Sequence, residues 1–469
     1  MSALPLCLLI TSCAAAPKDS GDFRPLENEF AVAGSSLEGD AGFPPGEGEA
    51  PRVSAGSRNP PSISLETAVR QALSWHPSID QAVGRLNQQT EEVAGARGGY
   101  LPKISGGIRS VYDNDDDRIR PELTVSASQP IYDFGKVSST VKAEMANVGA
   151  SRAELLIAID TVIRDTAHAF IETQRNQQLL DVAKDQVEGV EAIADLVRQR
   201  TSNGASTRSD EVQAEARVQT ARSRVLEIDA QLSRWETTLA TLIGSHGAAV
   251  PVGDVPSWLL SSCEVVEPEW SRVPAIIRAE AQLERAQAEL RLSRAQLFPT
   301  LSVQADAGQS LDGSSLGGGT RDSDLTIGLN LSGSLYDGGT SLARRRAASH
   351  ALGAAQAMRE TARIETLQEL TNARSQTANM KQLLASLSSR SEMMRETRNL
   401  YRRQYVDLGT RTLLDLLNAE QELHQAQFDA VNTTHDLRRL NVDCLFSSGT
   451  SREAFALDGM TLRGVPLRL

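Results

Sequence analysis

Two periods alternate along the chain. From Val141 to Val197, the positions Val141, Met145, Val148, Leu155, Ile159, Val162, Ala169, Leu180, Ala183, Val187, Val190, Ala194 and Val197 follow steps of three and four. Arg152, Thr166, Thr173 and Asn176 are the polar exceptions in that register. A period of 3.5 held over so many turns predicts a supercoiled helix from Gly135 to about Thr201, roughly 100 Å long at ~1.5 Å per residue. Proline is missing from Ile131 through Val250 and from Thr300 through Val465, which leaves two long stretches without a helix breaker.

Elsewhere the period falls to two. Leu301, Val303, Ala305 and Ala307 alternate with Ser302, Gln304 and Asp306, and Leu325, Ile327, Leu329, Leu331 and Leu335 with Thr326, Gly328, Asn330, Ser332 and Ser334. Leu123, Val125, Ala127 and Ile131 oppose Thr124, Ser126 and Ser128, beside a poorer strand from Lys103 to Tyr112. Strands of this length, with one apolar and one polar face, fit the wall of a water-filled membrane barrel.

The elements recur. "YLPKIS" (Tyr100–Ser105) matches "LFPTLS" (Leu297–Ser302), "PIYDFGK" (Pro130–Lys136) matches "SLYDGGT" (Ser334–Thr340), and "GASTRSDEVQAE" (Gly204–Glu215) matches "GTRTLLDLLNAE" (Gly409–Glu420). The offsets are 197 between Pro102 and Pro299, 204 between Tyr132 and Tyr336, and 205 between Gly204 and Gly409, so the chain is an internal duplication. Gly204 and Gly409 interrupt the long helical runs and read as the turns of two antiparallel helical hairpins. The expected division is a first repeat over 64–250 with a β-hairpin at 101–133, a linker over 251–271, a second repeat over 272–448 with a β-hairpin at 299–337, and a tail over 449–469. The fold class is mainly α with β: duplicated coiled-coil hairpins plus two β-hairpins. Four strands do not close a barrel, and open edges are not tolerated in lipid, so the chain is expected to oligomerise. Two copies give eight strands and three give twelve; a conducting pore favours three.

The N-terminus adds an address. "LPLCLLITSC" (Leu4–Cys13), followed by Ala14, resembles a lipobox, which makes 1–12 a signal peptide and Cys13 a lipidation site. The absence of Lys or Arg before the apolar run departs from that pattern. Residues 13–63, rich in Pro, Gly, Ser and Glu, read as a flexible tether, and Ser64 in "SLETA" as the cap of the first helix. Cys7 leaves with the signal; Cys263 and Cys444 fit no zinc or thioredoxin motif, and whether they pair is open.

Charge and composition exclude more than they assign. A net charge of −12 argues against nucleic acid as a partner. Six scattered His, with no HExxH and no CxxC, leave nothing to organise an enzyme reaction, and no cofactor is called for. The acidic loop with Asp113, Asp115, Asp116 and Asp117 lacks EF-hand spacing, and the glycine-rich Leu311–Asp322 lacks a phosphate-loop ending.

A helix, a strand hairpin ending in YDxG and two long helices meeting at a glycine tip, all repeated once over Ser64–Ser448, resemble the TolC family of outer-membrane efflux proteins. The resemblance implies a homotrimer in the outer membrane, with a twelve-stranded barrel continued by a twelve-helix periplasmic tunnel. Its tips would dock onto a periplasmic adaptor driven by an inner-membrane transporter. The family's latch arginine falls on Arg411, its partners on Ser209 and Asp210, and its constriction acids on Asp415 and, in a departure, Asn418. The latch tyrosine's position is Val406, with Tyr405 one residue away. The plainer reading is an i,i+4 pair of Arg411 and Asp415 on a solvated helix face, worth a few tenths of a kcal/mol. "ARGGYLP" and "QPIYDFGK" look more like the type I protein secretion group. A multidrug efflux component is the alternative, and a lipid-anchored periplasmic coiled-coil scaffold without a pore is the second.

Overall fold

The computed structural model describes residues 62–113, 118–245, 247, 249–311, 323–457 and 459–467. The expected signal peptide, Cys13 and Asp115–Asp117 lie outside them. The elements are β1 (Ser62–Ile63), α1 (Leu65–Trp75), α2 (Pro77–Arg97), β2 (Lys103–Asp113), β3 (Arg118–Tyr132), α3 (Lys136–Ser202), α4 (Arg208–Leu242), β4 (Val250–Pro251) and α5 (Ser257–Leu260). There follow α6 (Pro274–Ala295), β5 (Thr300–Ser310), β6 (Ser323–Ser332), α7 (Thr340–Arg403), α8 (Leu413–Ser448), α9 (Ser451–Ala454), β7 (Thr461–Leu462) and β8 (Val465–Pro466).

Ser64 caps α1, its side chain accepting from Thr67 N. His76 is held extended by the following Pro77, which breaks the first helical run into α1 and α2. At 67 residues, α3 spans roughly 100 Å at ~1.5 Å per residue. Of its polar exceptions, Thr166, Thr173 and Asn176 are buried and Arg152 is half-buried; Thr173 Oγ1 donates to Ala169 O (2.7 Å) and Asn176 Nδ2 to Glu172 O (2.8 Å), so these two donors are satisfied by their own helix. Met145, in the same register, instead stands exposed in the protomer.

Strand β1 pairs with β4 in parallel and β7 with β8 antiparallel, while the four long strands form one antiparallel sheet in the order β2-β3-β5-β6. Within the described residues β2 and β6 are its unpaired edges. The alternation expected to reach Leu335 ends as strand at Ser332, which pairs with Thr300; Gly333 then lies against Pro299, which has no amide hydrogen to continue the ladder.

The main core lies where α1, α3 and the end of α4 meet, around Ile159, Ile163, Phe170 and Leu239. The segment read as a linker folds into this core through Val255 and Leu259, and the tail through Phe455, Leu457 and Leu467. Cys263 and Cys444, left open by the sequence, form a disulfide with a Cα separation of 5.2 Å. It ties the inter-repeat segment to α8. Arg452 of α9 makes a buried ion pair with Asp160 of α3, and burial pushes that carboxyl up to about 6 against the arginine's pull.

Candidate functional site

Two places on the scaffold carry the candidate chemistry: the sheet and the helical tips. On the sheet, Ile104 and Ile108 of β2 and Leu325, Ile327, Leu329 and Leu331 of β6 are each about two-thirds exposed. Leu123 and Val125 of β3 are also exposed and continue the same face, since Ile108 pairs with Leu123 in register. An apolar face this continuous is foreign to water and suited to lipid. The other face carries Ser126, Ser128, Gln304 and Asn330, with Asn330 Nδ2 donating to Gln304 Oε1 (3.2 Å). No described helix is long and apolar enough to cross a membrane.

The repeated YDxG joins sheet to helix. Asp133 accepts from Gly135 N (2.9 Å) and Val137 N (2.6 Å), and Asp337 from Gly339 N (3.1 Å) and Ser341 N (2.8 Å). Each aspartate thus satisfies amide donors that the first helical turn leaves free. Gly135 (φ 86°) and Gly339 (φ 87°) take the left-handed turn that β-carbons disfavour. Tyr132, Phe134 and Phe298 cluster at this junction, with ring centroids 4.7 and 4.9 Å apart, and all are exposed. Exposed aromatics at one end of an apolar sheet match the belt that sits at a membrane–water interface.

At the far end, both tips turn on left-handed glycines, Gly204 (φ 74°) and Gly409 (φ 60°). Each is followed by a reciprocal capping box. Thr207 accepts from Asp210 N (3.1 Å) while Asp210 accepts from Thr207 N (3.0 Å); Thr412 and Asp415 do the same, both at 3.2 Å. The backbone hydrogen bond from Thr207, with one from the Ser206 hydroxyl, holds the Asp210 carboxyl below its usual range. The Thr412 hydroxyl and amide do so for Asp415.

Around these equivalent caps the side chains differ. Arg411 lies over the Tyr401 ring (4.3 Å to its centroid), donates to Gln404 Oε1 (3.2 Å) and stands 3.9 Å from Asp415. Within one protomer its partners are these, not Asp210 or Ser209. Ser209 and Asn418 are exposed. Val406, at the expected latch-tyrosine position, is exposed, whereas Tyr405 is buried under Arg200, which lies 4.8 Å from its ring centroid and donates to its carbonyl (3.2 Å). A π-helical turn at Gln404–Leu408 ends α7, while α3 ends without one. Deeper in the same hairpin, Glu420 is buried with Arg398 and His424. Sequence reading missed Tyr401, Gln404, Arg200 and this cluster. Arg200 and Tyr405 do occupy equivalent positions of the duplication, 205 residues apart, which was a legible signal.

Comparison with known proteins follows the same geography. The family model described as outer membrane efflux protein matches residues 68–245 and 269–442, one block in each repeat. The chain is 24% identical over 328 residues to the pyoverdine export outer membrane protein OpmQ of Pseudomonas aeruginosa, spanning 65% of this chain and 66% of that protein. It is 23% identical over 356 residues to the alkaline protease secretion protein AprF of the same organism, spanning 74% of this chain and 73% of that protein. Among solved structures, CusC superposes with a TM-score of 0.75 at 17% identity, over 82% of this chain and 92% of that one.

Proposed function

The chain belongs to the outer membrane efflux protein family, and from that premise we propose that three copies form one export channel. A member of this family works in the outer membrane as an efflux component and is not an enzyme. The observation that carries the trimer is the sheet: four strands, a lipid-suited face and two unpaired edges, β2 and β6. Joining β2 of one protomer to β6 of the next removes every edge and closes twelve strands around the polar face. The long hairpins α3–α4 and α7–α8 then continue the wall as a periplasmic tunnel whose tips meet a periplasmic adaptor and an inner-membrane transporter. Purified full-length protein should run as a heat-resistant trimer in detergent and conduct in planar bilayers. A monomer with no conductance supports the coiled-coil scaffold instead.

The tips form the gate in this reading. Arg411, 40% exposed at its side chain, exchanges its contacts with Tyr401 and Gln404 for Asp210 or Ser209 of a neighbouring protomer, and Asp415 with Asn418 lines the constriction. One carboxylate per chain there predicts a block by multivalent cations that Asp415→Ala removes. Cys13 anchors the N-terminus to lipid, and the cargo class is type I secreted protein, which the likeness to AprF favours. The likeness to OpmQ favours small-molecule export. Deleting the gene and assaying secreted protein against drug susceptibility separates the two.

A further inference from the structure

One group of the second tip is used neither by the caps nor by the proposed gate. Glu420, the last residue of the repeated motif, is 1% exposed in the α8 wall facing α3 and α7. Its Oε2 lies 3.2 Å from Arg398 Nη1 of α7, and its Oε1 lies 3.0 Å from His424 Nε2 one turn along α8. From α3, Gly189 presents bare backbone to it: a Cβ at 189 would overlap Glu420 Oε1 and lie 3.0 Å from its Cδ. One carboxylate therefore touches three helices. Only a glycine lets α3 approach so closely.

The first tip supplies an internal control. The positions 205 residues earlier hold Glu215 and Gln219, which are exposed and bond each other (3.3 Å), and Ile193, a buried apolar residue, where Arg398 stands in the second repeat. The position equivalent to Gly189 is Met394. The duplication kept a glutamate at this point of both hairpins, and only the second buries it. A buried ion pair is a poor route to stability, since well-packed apolar residues serve as well or better, but it fixes relative position. Glu420 lies five residues along α8 from Asp415, about 7.5 Å along the axis at ~1.5 Å per residue.

We propose that Glu420 is a positioning residue for the gate: held by Arg398 and His424 and seated on Gly189, it docks the α7–α8 hairpin against α3. It thereby sets where Arg411 and Asp415 stand at the tip. The proposal rests on the gate reading above, and breaking the seat from either helix should let the second tip shift while the barrel and the caps remain.

The test is single-channel conductance of the full-length protein in planar bilayers, with heat-resistant assembly in detergent measured in parallel. The variants are Arg411→Ser, Glu420→Gln, Gly189→Ala and the Arg411→Ser/Glu420→Gln pair. Glu420→Gln and Gly189→Ala, which attack the same contact from opposite helices, should each raise conductance with assembly intact. The pair should conduct about as Arg411→Ser alone does, because both changes release one element. Conductance that rises in Arg411→Ser but not in Glu420→Gln or Gly189→Ala overturns the positioning role and leaves the gate standing. Unchanged conductance in Arg411→Ser removes the gate, and the proposal with it. Loss of assembly in both seat variants shows Glu420 to be a packing residue only and overturns the proposal.

Discussion

The two tips of this chain share a backbone design and differ in what surrounds it. Both turn on a left-handed glycine and restart with a Thr–Asp capping box, at Thr207–Asp210 and Thr412–Asp415. Beyond the caps, the first tip has an exposed Glu215, while the second has a buried Glu420, a π-helical turn and an Arg411 stacked on Tyr401. Arg200 and Tyr405, equivalent positions of the two copies, have become each other's partners. The lesson is that duplication keeps what the local backbone requires and frees what faces another helix. Each helix restarting after a tip has first-turn amides left free, and both copies keep the Thr–Asp pair that satisfies them. A packing position answers to its neighbour, and the two hairpins have different neighbours.

Substitutions at matched positions test this asymmetry. The largest effect is expected from Glu420→Ala, which strands the half-buried Arg398 and should cost about 3 kcal/mol in denaturant unfolding, against at most about 0.5 kcal/mol for Glu215→Ala. Equal costs at the two sites would erase the distinction. Gly189→Ala comes next, at about 1–3 kcal/mol from overpacking, with its equivalent Met394→Ala costing less because Met394 is only half-buried. The caps should behave alike: Thr207→Ala and Thr412→Ala each lose about 1 kcal/mol, and a difference larger than that would show that the caps have diverged too.

The smallest effect is on acid stability. The Asp210 and Asp415 carboxyls are held below the usual carboxylate range, so each contributes stability that is present above the ordinary value of 3.8 and lost as pH falls through its folded value. Melting temperature measured downward from pH 5 should therefore fall less in Asp210→Asn and Asp415→Asn, and by similar amounts. A markedly flatter profile in one variant than in the other would place that carboxylate in a contact that the protomer alone does not contain.

The part of the architecture written in local pattern was readable from the residues. The alternating strands, the glycine turns, the Ser64 cap and the length of α3 depend on neighbours within a few positions, and the structure has them where the pattern puts them. The stop at Ser332 was not readable, because it follows from Gly333 meeting Pro299 across the sheet. The same limit hid the Cys263–Cys444 bridge, whose members are 181 residues apart, and the contact of Arg200 with Tyr405. At the tip, Arg411 and Asp415 were found through the motif, but their surroundings were not. Tyr401 and Gln404 reach Arg411 across a turn whose π-helical geometry shifts the side-chain phase, which also turns Tyr405 inward and leaves Val406 outside.

Everything proposed for the tips presupposes that three chains share one barrel, joined edge to edge. Single cysteines placed on β2 and on β6, treated in intact cells with a short bifunctional thiol reagent, test that junction. The two edges of one protomer are three strand spacings apart, about 14 Å at ~4.8 Å each, so a short link must form between chains. The account predicts a covalently closed trimer when both cysteines are present in one chain and no product larger than a monomer when either is alone on its edge. Failure to link β2 to β6, or a ladder that ends at two chains, would contradict it.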